Sequence, residues 1–211
     1  MSDPYFFESV ILTTQATGTP HAGALQAANP GLKIHVCEAP DAPDAEARLR
    51  AWRNCDNNLL TWWLEHGGEV AAAQVLALEW DVYCNTDLRT VIRPPAWQSG
   101  LAAARILSGV SERRKYRFFE EAERLPASMR ALAVAAAPLA VLRVSRTALD
   151  ACLAPEYADV FREDIFCEMR LPTVIRHAGF HVAELGLRHV DATPKRPAGI
   201  GIFHPVKEVA A

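Results

Sequence analysis

The cysteines of this chain lack the spacing of a metal or redox motif. The chain has 211 residues and five cysteines, an odd number, and no two of them form a Cys-x-x-Cys pair. Scattered cysteines argue against a zinc finger, a thioredoxin-like site or a disulfide framework. We therefore expect reduced thiols, mostly buried, and no native disulfide.

Long apolar runs and a strong net charge are also missing. The most apolar stretch, residues 131–142, is too short to span a bilayer and contains Pro138. The first residues include Asp3 and Glu8 and do not read as a secretory signal. A formal net charge of only −3 gives no strong field to attract nucleic acid or anionic lipid. We therefore expect a soluble cytoplasmic protein with no nucleic-acid partner and no integral membrane segment.

The sequence does contain an alternation of strand and helix patterns. Strand-like segments, which are short and apolar or alternate at period two, occupy residues 9–14, 32–37, 75–83, 139–145 and 180–185. Helix-like segments occupy residues 45–66, 113–125, 146–153 and 169–178. This alternation predicts one α/β domain over residues 1–211, with a mainly parallel central sheet flanked by helices. In such sheets ligands gather at the carboxyl ends of the strands.

Two acids stand near the end of the strand predicted over residues 75–83. Glu79 and Asp81 are separated by one residue, so on a strand both side chains point the same way. Carboxylates combined with substrate phosphates suit a hard cation such as Mg²⁺ or Mn²⁺. On spacing alone, an acidic strand end that faces water remains an alternative.

A second candidate segment lies close to the C-terminus. His204 has a neutral imidazole suited to completing a metal's coordination, and Lys207 has the charge to neutralise a diphosphate. A purely structural histidine remains the alternative here.

Taken together, these segments resemble the A-type glycosyltransferases. Residues 79–85 resemble their acidic metal and nucleotide motif, with Glu79 where the usual Asp-x-Asp motif has its first Asp, and residues 203–207 resemble the segment that adds a histidine to the metal. Residues 52–58, followed by Trp62 and Trp63, are similar to a helix of poorly characterised bacterial members. Residues 163–173 are similar to the acid-bearing segment near the acceptor.

The resemblance implies a Rossmann-like A-type fold and transfer of a sugar from a nucleotide-sugar donor to the hydroxyl of an unknown acceptor. It implies Mn²⁺ or Mg²⁺ as the cofactor, with Asp81 and His204 as the metal ligands. The substrate-binding candidates are Thr13, Thr14, Asn54, Asp56, Glu79, Asn85 and Lys207.

An inverting transferase also needs a base for the acceptor hydroxyl, and Glu168 and Asp164 are the candidates. They are four residues apart, so on a helix they would share a face. A solvated acidic helix start is the alternative for this pair.

Two other functions remain open on the sequence alone. One is a binding module that retains a nucleotide-sugar pocket without transfer activity, which the altered acid motif favours. The other is a metal-dependent phosphoester hydrolase in which Asp81 and His204 would activate water. Serine nucleophile chemistry has little support, because no serine lies in a Gly-x-Ser-x-Gly motif.

Overall fold

The chain divides into two compact units, residues 1–72 and residues 73–211. The structure is a computed structural model, and it describes residues 9–14, 23–24, 26–27, 30, 33–38, 44–78, 82–84, 96, 98–108, 112, 115–185 and 202–203. The expectation of one domain over residues 1–211 stays a prediction.

The first unit contains a pair of parallel strands. Strand β1 (Ser9–Thr14) pairs with β2 (Lys33–Glu38), with Ser9 opposite Lys33 and Thr14 opposite Glu38. Both strands confirm the predictions made from their apolar and alternating patterns.

Two consecutive helices follow in the first unit, where one continuous helix was predicted. Helix α1 (Ala45–Arg53) begins at Asp44, whose carboxylate accepts a hydrogen bond of 2.7 Å from the Ala47 N–H. Helix α2 (Cys55–His66) follows directly. The break falls at Asn54, whose side-chain amide donates to the Arg50 carbonyl at 2.8 Å. The Asn54 backbone N–H donates to the same carbonyl at 3.1 Å, so the side chain and the backbone of Asn54 together close the last turn of α1.

The second unit is built on a four-stranded sheet with the order β3-β8-β5-β9. Its strands are β3 (Gln74–Leu78), β5 (Leu101–Ala103), β8 (Val141–Ser145) and β9 (Val182–Glu184). Strand β8 is antiparallel to both β3 and β5, and only β5 and β9 are parallel. The predicted mainly parallel, Rossmann-like sheet is therefore wrong. The period of a sequence pattern identifies a strand, but the direction of a strand depends on the partners it meets in the fold.

Two short antiparallel strand pairs accompany this sheet. Strand β4 (Tyr83–Cys84) pairs with β10 (Ile202–Phe203), and β6 (Ile106–Leu107) pairs with β7 (Ala135–Ala136). The second unit has a buried apolar cluster on the sheet, formed by Ala96, Ala102, Val141 and Leu185.

The helices of the second unit include one that is buried along most of its length. The α-helices of this unit that are described from end to end are α3 (Ala127–Arg130), α4 (Arg146–Cys152), α5 (Ala158–Arg162) and α6 (Cys167–His177). Helix α6 buries eight of its residues, and Gly179, with φ of 89°, follows its end. The predictions of a short helix after residue 145 and of a helix closed by Gly179 are confirmed.

The charged helix predicted over residues 113–125 is not found in the described part of that segment. Residues 115–118 form turns, and Phe119–Arg124 forms a 3-10 helix. The aromatic residues of the segment turn toward the start of α6 instead, since Phe118 packs on Phe166 with ring centroids 4.3 Å apart. Within the described residues, no helix has both the length and the apolar character needed to cross a membrane.

Candidate functional site

Glu168 lies in the first turn of α6 and is half-buried. The Tyr116 hydroxyl donates a hydrogen bond to its Oε2 at 2.7 Å. The Leu139 N–H donates to its Oε1 at 3.3 Å. An acid in the first turn of a helix also benefits from the helix dipole. The sequence prediction singled out this acid, and the structure fixes its carboxylate from two sides.

The phenol of Tyr116 has a raised pKa. Burial raises the pKa of the Tyr116 phenol well above its ordinary value, and the neighbouring Glu168 raises that pKa further. The phenol therefore acts as a hydrogen-bond donor over the whole physiological pH range. The sequence prediction missed Tyr116, because the residue stands among the charged residues of the segment predicted as a helix over residues 113–125.

Asp164, the second candidate base, has a different environment. Helix α6 begins at Cys167, so Asp164 lies in the connection before it and the predicted shared helix face with Glu168 is wrong. The side chain of Asp164 is 68% exposed and lies 3.6 Å from the Arg124 guanidinium. The same guanidinium donates to the Asp164 backbone carbonyl at 2.6 Å. The catalytic role proposed for Asp164 stays a prediction, and its exposure makes Glu168 the stronger candidate.

A third carboxylate, that of Glu121, holds the start of α6. The Phe166 N–H donates to Glu121 Oε2 at 2.6 Å. Phe166 is the residue that precedes the helix, so Glu121 satisfies one of the backbone N–H groups left open at a helix start. We assign Glu121 a structural role.

The predicted metal ligands and several predicted substrate contacts lie outside the described residues. They are Asp81, His204, Glu79, Asn85 and Lys207. Among the residues that the structure does describe, no group of three or more His, Cys, Asp or Glu side chains is arranged to hold a metal ion.

The residues just after Asp81 and just before His204 are described, and they form a strand pair. Phe203, which immediately precedes His204 in the sequence, pairs with Tyr83, which follows Asp81 by two residues. Phe203 is buried, at 5% exposure. The pairing joins two segments that are far apart in the sequence.

The substrate-binding candidates of the first unit have local structural roles. Thr13 and Thr14 end β1, where their backbones pair with Cys37 and Glu38, while their side chains lie outside the described part. Asn54 caps α1 through its side-chain amide, as described above. Their donor contacts stay predictions.

Asp56, also in the first unit, is an acid with almost no exposure. Its side chain is 2% exposed in the first turn of α2, and its Oδ1 accepts a hydrogen bond of 3.0 Å from the Asn57 N–H. Burial of a carboxylate is costly unless it is hydrogen-bonded, and the helix start meets part of that need. Its predicted donor contact stays a prediction.

A buried arginine on β8 is a further feature that the sequence analysis missed. Arg143 is fully buried, and its guanidinium donates to the Ser99 carbonyl oxygen and to the Ser99 Oγ, the latter at 3.2 Å. Burial lowers the pKa of Arg143 to about 10, which leaves it charged at neutral pH. The sequence signal was a single cation within the apolar run of residues 139–145.

Comparisons of the chain with protein-family models, with curated proteins and with solved structures gave no match. A function has to be inferred from the residues of the chain itself.

Proposed function

We propose that this protein transfers a sugar from a nucleoside-diphosphate donor to an acceptor hydroxyl, with Glu168 as the general base and with a divalent cation held by Asp81 and His204. The proposal concerns the second unit. The donor contacts of Thr13, Thr14, Asn54 and Asp56 stay sequence predictions and are not part of it.

The pairing of β4 with β10 is the observation that carries this proposal. Phe203 lies opposite Tyr83, and the strands run antiparallel. The chain beyond Phe203 and the chain before Tyr83 therefore leave the pair at the same end. His204 follows on one side and Asp81 precedes by two residues on the other. This supports a shared cation site for these two side chains.

The donor set suits the proposed ion. Carboxylate oxygens are ligands that Mg²⁺ and Mn²⁺ prefer, and a protein usually supplies only one or two of them when substrate phosphates complete the shell. A cation there would stabilise the negative charge that develops on the departing diphosphate. Lys207, three residues after His204, has the charge to assist in the same task.

The hydrogen bonds of Glu168 support its role as the base. Its Oε1 accepts from the Leu139 N–H, and Leu139 precedes β8 by two residues. The first residue of β8, Val141, pairs with Leu78, the last residue of β3, and Glu79 follows Leu78 in the sequence. This register supports a site in which the base and the acidic segment share one end of the β3 and β8 pair.

The proposal includes a cytoplasmic location and no nucleic-acid partner. Cys55, Cys152 and Cys167 are free thiols, which supports a reducing compartment.

The first experiment measures binding of a panel of nucleoside diphosphates by calorimetry, with Mn²⁺ and with chelator. We expect Mn²⁺ to strengthen binding of at least one nucleotide about tenfold or more, Asp81→Ala to abolish that gain, and His204→Ala to weaken it. Asp159→Ala is the matched control. It also removes one acid from the second unit, and the Asp159 side chain is 91% exposed. Wild-type affinity that chelator leaves unchanged, or normal binding by Asp81→Ala, would show that the metal assignment is wrong.

The second experiment separates transfer from the two alternatives. Glu168→Gln should keep nucleotide binding and lose transfer by a factor of about 10² to 10⁴, the usual contribution of a general base. Release of free sugar or phosphate without an acceptor would identify a hydrolase instead. Binding without any turnover across donors and acceptors would identify a binding module.

A further inference from the structure

We infer that Tyr116 is a positioning residue for Glu168. The Tyr116 hydroxyl anchors Glu168 Oε2 and fixes the orientation of the carboxylate that takes the proton of the acceptor hydroxyl. This inference rests on the proposed role of Glu168 as the general base.

The bond between the two side chains is short and links distant parts of the chain. Tyr116 Oη and Glu168 Oε2 are 2.7 Å apart, and the two residues are separated by 52 positions. A hydroxyl bonded to an ionised carboxylate is among the stronger hydrogen bonds in proteins. Such a bond restricts the rotation of the terminal carboxylate, which is otherwise broad.

The turn that carries Tyr116 is itself fastened to the start of α6. The Tyr116 ring meets Phe118 edge-on at 5.6 Å, and Phe118 packs on Phe166 at 4.3 Å. Glu121 of the same segment accepts the hydrogen bond of the Phe166 N–H. The phenol is therefore held in place independently of the bond it makes to Glu168, as a positioning group must be.

The raised pKa of Tyr116 fixes the direction of the hydrogen bond between the two side chains. Burial, Glu168, the Cys167 thiol and Glu121 all raise the pKa of Tyr116, so the phenol remains protonated over the range in which a carboxylate titrates. It donates to Glu168 and does not exchange its proton with it. A donor bonded to the ionised form of a carboxylate favours that form. The bond from Tyr116 thus favours the ionised form of Glu168 and also orients it.

The test uses Tyr116→Phe, which removes one oxygen and retains the ring that packs on Phe118. The matched control is Tyr157→Phe, because the Tyr157 hydroxyl also bonds one side chain in the same unit, His177 Nδ1 at 3.0 Å. Transfer kinetics are recorded across pH for both variants and wild type. In parallel, carbon-13 labelled glutamate is followed by NMR, with Glu168→Gln used to assign the Glu168 carboxyl signal.

If Tyr116 positions Glu168, Tyr116→Phe lowers kcat by about ten- to a hundredfold with little change in the KM for the donor. The acidic limb of its rate profile and the NMR titration midpoint of Glu168 both move to higher pH, because the ionised carboxylate has lost a donor. Tyr157→Phe leaves the profile and the midpoint unchanged.

Two results would overturn the inference in different ways. An unchanged Glu168 midpoint together with an unchanged rate profile in Tyr116→Phe would show that Tyr116 does not act on Glu168. If the Glu168 midpoint shifts in Tyr116→Phe but the wild-type protein transfers no sugar, the hydrogen bond is real and the proposed function is wrong. The positioning role of Tyr116 in catalysis is then rejected as well.

Discussion

In the second unit, the half-buried Glu168 and the buried Arg143 each make a side-chain hydrogen bond to a residue far away in the sequence. Tyr116 bonds Glu168, and Arg143 bonds Ser99, which in turn donates to the Ala96 carbonyl at 2.8 Å. Polar groups removed from water are costly unless they are paired, so both contacts constrain the local fold. The first pair lies at the proposed site.

The raised pKa of Tyr116 predicts a specific loss of stability in alkali. Below pH of about 10, the ordinary tyrosine value, the phenol is protonated in both the folded and the unfolded protein, and its contribution to stability is fully present. Above that pH the unfolded phenol ionises while the folded one does not, so the unfolded state binds fewer protons and the free energy of unfolding falls.

Urea unfolding of wild type and Tyr116→Phe between pH 8 and 11 tests this expectation. The stability advantage of wild type should shrink as pH rises past about 10. The Tyr157 phenol, whose pKa burial also raises, is present in both proteins and cancels in the comparison. A difference that stays constant across the range would contradict the raised pKa.

At the scale of the elements, the end of α6 is set by backbone conformation. Gly179 has φ of 89°, in the left-handed region, and accepts this geometry without steric cost because it has no Cβ. After Gly179, the Phe180 N–H donates to the Ile175 carbonyl, and the chain enters strand β9 at Val182.

Gly179→Ala should therefore destabilise the protein by about 1 to 2 kcal/mol, through backbone strain alone. A Cβ built at Gly179 would meet no atom within 4 Å, so no clash contributes. Gly68→Ala is the matched control, because Gly68 also has open space around it and its φ is not positive. Thermal or urea unfolding of both variants gives the comparison. Equal stability of the two would show that the left-handed turn is not required.

At the scale of the whole molecule, the sheet of the second unit has β8 between two antiparallel neighbours. Val144 pairs with both Val75 and Leu101, so the ladder crosses three strands at this position. Strand β9 then adds to β5 in parallel, with Leu101 opposite Val182. The result is a mixed sheet whose topology differs from the predicted one.

NMR cross-relaxation tests this arrangement directly. Antiparallel neighbours bring Cα atoms to about 4.5 Å at non-hydrogen-bonded pairs, which places the facing Hα protons in close contact. We expect Hα to Hα cross-peaks between β3 and β8 and between β5 and β8, and none between β5 and β9. Their absence on both sides of β8 would favour the parallel sheet that the sequence pattern suggested.

The sequence by itself determined the local structure of several segments. Strands β1, β2 and β8, the short helix α4 and the helix α6 that Gly179 follows all lie where periodicity and helix-stop signals predicted them. Glu168 was also selected from sequence. These features depend on neighbouring residues, whose apolar spacing and backbone preferences can be read along the chain.

Only the tertiary structure decided how these segments combine. The direction of β8, the partners of Glu168 and the place of Tyr116 depend on contacts between residues far apart in the sequence, which no local pattern encodes. Tyr116 had no distinguishing signal in its charged segment, and it acquired its role because Phe118 and Phe166 bring that segment to the start of α6. The contact of Glu121 with the start of α6 is likewise set by the fold, since its carboxylate accepts the Phe166 N–H from 45 residues away.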